Sequence, residues 1–216
     1  MMHIEEEKLI KEFWEIIPVE VMKQVMNEFH LKNSVIHGIS HWSRVFYYGA
    51  TLSKIHNIDL EIIAYFSIFH DSKRMLEDDE PEHGPSAAEF FKKLDSIIFI
   101  KPENKEIIYE ACRTHNLVNS TDIKEIGVCY DADRLDLWRV SLEPSDKYLH
   151  FDISKQNETK DFARIFTRNN FSKTRLSESM LTKVYNAYDI KQKDDQNHKL
   201  NFIDKFFNLK NLISRF

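Results

Sequence analysis

Glycine, proline and cysteine are all scarce in this chain of 216 residues, which contains 4 Gly, 5 Pro and 2 Cys. So few Gly and Pro leave little material for the tight turns of a sheet-rich fold, and the composition therefore favours helices. Cys112 and Cys129 are too few for a disulfide framework and suit a reducing compartment.

Long apolar runs and clustered positive charge are also absent. No uninterrupted apolar stretch approaches the roughly 20 residues that a membrane span requires. The N-terminus, MMHIEEEKLIKEF, lacks the basic end and apolar run of a signal peptide. The formal net charge of -5 gives no clear footprint for nucleic acid binding. We therefore expect a cytoplasmic protein with no membrane span.

Apolar residues recur at three- and four-residue spacing through most of the first 140 positions, which predicts an all-α fold. Two prolines suit the first turns of helices, and Ser40 and Asp59 suit helix caps. The predicted features are a helix over 40–57 capped by Ser40, a helix starting near Asp59, helices starting around Pro85 and Pro102, and a helix over about 122–140.

A further amphipathic helix is predicted over 200–216, where Phe202, Phe206 and Ile213 belong to one apolar stripe. This stripe could pack on the protein's own core, form a homodimer contact or lie on a membrane surface.

Several histidines and aspartates fall on predicted helices or at their ends, beside apolar neighbours. Buried ionisable groups are costly unless they are paired, hydrogen-bonded or bound to a cation, so a shared metal ion explains the set economically. Imidazole and carboxylate ligands suit divalent iron, manganese, cobalt, nickel or zinc. The candidate ligands are His41, His70, Asp71, His83, His115 and Asp133.

Three motifs resemble the successive motifs of the HD-domain superfamily, which are helical, metal-dependent phosphohydrolases. They are HWSRV at 41–45, the doublet at 70–71 and DADRLD at 131–136. More narrowly, FSIFHDSKRMLEDDEPEHGPSAAEFF, ACRTHN and VCYDADRLDLWRV are similar to an uncharacterised bacterial branch of that superfamily.

The resemblance covers residues 34–150 and implies an HD-domain helical bundle as the metal-binding core. Residues 1–33 would form N-terminal helices that pack on this core, and residues 151–216 an extra C-terminal helical segment.

The resemblance also implies the order of the ligands. His41, His70, Asp71 and Asp133 match the superfamily pattern; Asp133 is preferred to Asp131 because a basic residue and Leu follow it. In some branches two further histidines make the doublet's aspartate a bridge between two metals. His83 and His115 fall in that interval, and their alternative is a substrate-binding or structural role, so one or two ions per chain are expected.

A bound divalent ion makes hydroxide available near neutral pH, which suits hydrolysis of a nucleotide, phosphate monoester or phosphodiester. Besides the metal-bound Asp71, catalytic candidates are Lys73 and Arg74, which could reach the phosphate, and Asp131, which could act as a general acid or serve as a helix cap. Arg44 and Arg134 are candidate substrate-binding residues for this small phosphorylated substrate. Each cation could instead form a surface ion pair.

Two other functions fit the same ligands. One is a mixed-valence di-iron oxygenase related to inositol oxygenase, and the other is a non-catalytic metal-binding regulatory protein. His37 and His56 match no motif and are interpreted as surface residues.

Overall fold

A computed structural model describes residues 5–191, and within this range it contains ten α-helices and no β-strand. The predicted all-α fold is therefore confirmed. The predicted helix over 200–216, with its possible homodimer contact, lies outside the described residues. The helices are α1 (Glu6–Ile16), α2 (Val19–Glu28), α3 (Ile39–His56), α4 (Leu60–Phe69), α5 (His83–Lys93), α6 (Pro102–Thr114), α7 (Lys124–Leu135), α8 (Asp152–Lys155), α9 (Asn157–Asn169) and α10 (Arg175–Lys191).

Helix α3 lies at the centre of the fold and packs against α4, α7 and α10. It is buried on nearly all sides, which explains why its sequence shows no single apolar face. Gly49 allows α4 to approach closely, since a Cβ atom there would lie 2.0 Å from Cγ1 of Ile63.

Most of the predicted helix starts are confirmed. The Asp59 side chain accepts a hydrogen bond from the backbone N–H of Glu61, as expected for an N-cap. Pro102 is the first residue of α6, and Pro85 lies in the first turn of α5. The predicted cap at Ser40 is wrong, because α3 begins one residue earlier and the Ser40 hydroxyl donates to the backbone carbonyl of Ser172.

The predicted helix over 122–140 is shorter than expected. Helix α7 ends at Leu135 and continues as a 3₁₀-helix over Asp136–Val140. Helix α9 packs against α7 and this 3₁₀-helix, while α10 packs against α1, α2 and α3. The helices α9 and α10 therefore support the helices that carry the candidate ligands. None of the helices in the described part of the chain is long and apolar enough to cross a membrane.

Candidate metal centre

Five helices bring the six predicted ligands together. All of these side chains are buried except that of Asp133, which is partly exposed. The ligands are His41 in α3, His70 and Asp71 directly after α4, His83 at the start of α5, His115 directly after α6, and Asp133 in α7.

The first group consists of His41, His70 and Asp133. The Nε2 atoms of the two histidines are 3.0 Å apart. Oδ1 of Asp133 lies 3.3 Å from Nε2 of His41 and 3.8 Å from Nε2 of His70. Oδ2 of Asp71 approaches the same two nitrogens at 3.6 and 3.8 Å.

The second group consists of Asp71, His83 and His115. The two Nε2 atoms are 2.9 Å apart. Oδ1 of Asp71 lies 3.2 Å from Nε2 of His83 and 3.8 Å from Nε2 of His115. Asp71 therefore turns one carboxylate oxygen toward each group and joins the two.

Hydrogen bonds fix the orientation of all four imidazoles. In each ring Nδ1 donates to an oxygen that can only accept, so the single proton of the neutral ring lies on Nδ1. The acceptors are Oδ2 of Asp136 for His41 (2.7 Å), the carbonyl oxygens of Phe66 and Ser67 for His70 (both 3.1 Å), the carbonyl oxygen of Glu80 for His83, and the carbonyl oxygen of Cys112 for His115 (2.8 Å).

In the neutral ring this leaves the lone pair on Nε2, and the four Nε2 atoms face one another in pairs. Burial lowers the pKa of His70 to about 3, although the nearby carboxylates act to raise it, so protonation of His70 does not relieve the contact at neutral pH. Oδ1 of Asp133 is buried and has no hydrogen-bond partner among the described residues. Lone pairs and carboxylate oxygens that converge in this way fit a divalent cation.

Both carboxylates are charged. Burial acts to raise the pKa of Asp71 and of Asp133, but other groups in contact with each carboxylate outweigh it, among them His37 beside Asp71 and Arg139 beside Asp133. Both pKa values therefore lie well below the usual range, and both side chains are available as anionic ligands.

Asp136 is a supporting residue that the sequence analysis did not identify. Its fully buried carboxylate accepts hydrogen bonds from Nδ1 of His41, from Nε of Arg44 at 2.8 Å and from the hydroxyl of Thr167 at 2.7 Å. Burial acts to raise the pKa of Asp136, but Arg44 and His41 outweigh it and hold this pKa below its usual value. The signal in the sequence was the spacing, since Asp136 follows Asp133 by three residues, close to one helical turn.

The prediction that His37 and His56 lie on the surface is wrong for His37 and only partly right for His56. The His37 side chain is 5% exposed, and its Nδ1 lies 2.9 Å from Oδ2 of Asp71. His56 is half-buried, and its ring stacks on Phe151 with the centroids 3.8 Å apart. His37 precedes His41 by four residues, a spacing that could have marked it as a neighbour of the site.

Three of the four cationic residues that were predicted to contact the substrate instead bind other groups of the protein. Arg44 is fully buried, and its guanidinium binds Asp136 and the carbonyls of Asn170 and Phe171 after α9. It therefore has no open side on which a substrate could bind. Lys73 forms an ion pair with Glu28 at 3.0 Å. Arg134 donates to the backbone carbonyls of residues 118, 119 and 148, so it ties loops together.

Arg74 and Asp131 differ in their relation to the centre. Nε of Arg74 lies 3.2 Å from Oδ1 of Asp71, so this cation is in direct contact with the shared aspartate. The carboxylate of Asp131 is fully buried and accepts the backbone N–H groups of His150 and Phe151 at 2.6 and 3.0 Å. Asp131 therefore anchors the chain before α8, and its proposed role as a general acid is not supported by this geometry.

Comparisons of the chain with protein-family models, curated proteins and solved structures found no match. What the geometry alone establishes is that two buried groups of histidine and aspartate could each hold a metal ion. This arrangement is compatible with a metal-dependent enzyme.

Proposed function

We propose that this protein is a metal-dependent phosphohydrolase of the HD superfamily that acts on a small phosphorylated substrate. The observation that carries the proposal is the position of Asp71, whose two oxygens face two separate groups of histidines. A carboxylate shared in this way suits two divalent ions a few ångströms apart, the arrangement found in many enzymes that transfer phosphoryl groups (about 3.5–4 Å).

The ligands would be His41, His70 and Asp133 for one ion and His83 and His115 for the other, with Asp71 shared. Bound divalent ions lower the pKa of water and polarise phosphoryl oxygens, which is the chemistry that hydrolysis of a phosphate ester needs.

The residues around the ligands supply orientation. The Nδ1 hydrogen bonds turn each Nδ1–H away from the centre and direct each Nε2 toward it. Arg74 donates to Asp71 and limits the movement of the shared carboxylate. A ligand set that is already oriented lowers the cost of binding an ion.

Elemental analysis of protein purified under nitrogen tests the proposal. We expect His70→Ala and His83→Ala each to lower the metal content, because each removes a ligand from one group. His30→Ala is the matched control, because His30 is exposed and should leave the content unchanged. Hydrolysis of p-nitrophenyl phosphate and bis-p-nitrophenyl phosphate is then measured with manganese, nickel or iron supplied.

Phosphate release that depends on His70 and on added metal is the expected result. A wild-type protein that holds no metal under any of these conditions would overturn the proposal. Bound iron that cycles with oxygen and supports no phosphate release would favour the oxygenase, and redox-silent metal without turnover would favour the regulatory protein.

A further inference from the structure

Arg139 lies in the 3₁₀-helix that follows α7, beside the first group of ligands. Its side chain is 7% exposed, and its Nη2 lies 3.6 Å from Oδ1 of Asp133. This distance is an ion-pair contact and too long for a hydrogen bond. The guanidinium thus stands at the edge of the centre without being bound to the carboxylate.

The donors of Arg139 are unsatisfied. Nε and Nη1 are buried and have no hydrogen-bond partner within residues 5–191. Arg134, by contrast, uses its guanidinium to bind three backbone carbonyls. A buried guanidinium with unpaired donors is costly, because the charge has lost its hydration and gained no acceptor in return.

The charges around the centre indicate what would satisfy these donors. Without metal, the carboxylates of Asp71 and Asp133 are balanced by Arg74 and Arg139, while Arg44 is neutralised by Asp136. Each divalent ion that binds then adds two positive charges, and the ligand carboxylates no longer compensate Arg139. An anion beside Arg139 would offset the positive charge that bound ions add to the centre.

We propose that Arg139 binds the phosphoryl group of the substrate, with its free N–H groups donating to phosphoryl oxygens. A guanidinium suits this role since its planar set of donors matches the oxygens of a phosphate. This inference rests on the proposed function, because it identifies the anion-binding residue of the same centre.

Calorimetric titration with inorganic phosphate tests the inference on the full-length protein, both metal-free and loaded with manganese. Arg139→Gln is expected to keep the metal content of the wild type and to weaken phosphate binding about 10- to 100-fold, the usual effect of losing a hydrogen bond to a charged group. Arg139→Lys keeps the charge but loses the planar donor set, so it should weaken binding less. The matched control is Arg175→Gln, which removes an exposed arginine paired with Glu7 and should bind phosphate as the wild type does.

Two results would overturn the role of Arg139. One is phosphate binding of wild-type strength in a metal-loaded Arg139→Gln, and the other is loss of metal from that variant, which would make Arg139 a residue that positions Asp133. A wild-type protein that binds no metal overturns the proposed function instead. In that case the role of Arg139 stands only if the metal-free protein binds phosphate and Arg139→Gln does not.

Discussion

Replacement of Asp136 by asparagine should separate the stability of the fold from the integrity of the metal centre. The carboxylate is fully buried and faces Arg44, also fully buried, with 2.8 Å between Oδ1 and Nε. Asparagine has nearly the same shape but removes the charge, which leaves the buried guanidinium uncompensated. Loss of one partner from such a pair destabilises a protein by about 3–5 kcal/mol, and we expect Asp136→Asn to lose that amount of unfolding free energy without metal.

Metal binding should weaken as well. The asparagine amide can turn only one oxygen toward its donors, so either His41 or Arg44 loses its acceptor. Loss of the residue that orients a metal-bound histidine typically reduces metal affinity about 10- to 100-fold. Metal competition with a chromophoric chelator measures this change, and urea unfolding in excess chelator measures the stability.

Asp152→Asn is the control, because the Asp152 side chain is fully exposed and its contact with Lys155 should contribute little. If the metal-free Asp136→Asn protein unfolds at the same urea concentration as the wild type, with the same slope, the buried pair does not contribute as argued. The reasoning would then be refuted, whatever happens to metal affinity.

The same variant has a defined pH dependence. The pKa of Asp136 is lowered in the folded protein, so its contribution is fully present above the unfolded pKa of about 3.9 and is lost as the pH falls through the folded pKa. The difference in stability between wild type and Asp136→Asn should therefore stay constant from neutral pH to about pH 4 and shrink below it. A difference that shrinks between pH 7 and pH 5 would contradict this.

Three further outcomes are expected. Gly49→Ala places a Cβ atom 2.0 Å from Cγ1 of Ile63, so thermal unfolding should show a loss of about 1–3 kcal/mol; an unchanged melting temperature would contradict the close approach of the two helices. Burial raises the pKa of Cys112 and of Cys129. At about pH 8.5, where a free thiol is half ionised, neither thiol of the folded protein should therefore react with Ellman's reagent, whereas both should react after denaturation. His37→Ala should lower metal affinity about tenfold or more by removing a contact to the shared aspartate, and equal affinity in a competition assay would count against that contact.

Local spacing predicted the helices, and the resemblance of the motifs to a known family predicted the residues that converge. Helical periodicity marked the elements, and the signals at Asp59 and Pro102 marked two of their starts. The order of the motifs indicated which histidines and aspartates belong together. Their convergence follows in part from helix ends, since His70 and His115 each directly follow a helix.

Local spacing does not show how deeply an arginine side chain is buried or which carboxylate it contacts. Arg44 was expected near a substrate because it shares a helical face with His41. That shared face brings it instead to Asp136, the residue that holds His41. Arg139 was overlooked since its approach to Asp133 depends on the change from α-helix to 3₁₀-helix at Asp136, which no periodicity signals.

Asp136 orients only one of the four histidines, because the other three donate from Nδ1 to backbone carbonyls. His70 and His115 directly follow helix C-termini, so Nδ1 of each can reach the carbonyl three residues earlier, in the last turn of the helix, where carbonyls lack intrahelical partners. His83, the first residue of α5, donates to the carbonyl of Glu80 in the turn before that helix. His41, the third residue of α3, instead donates to the Asp136 side chain, which belongs to another element. Substitution of Asp136 should disturb the first group of ligands and leave the second group, whose imidazoles are held by backbone carbonyls, able to bind its ion.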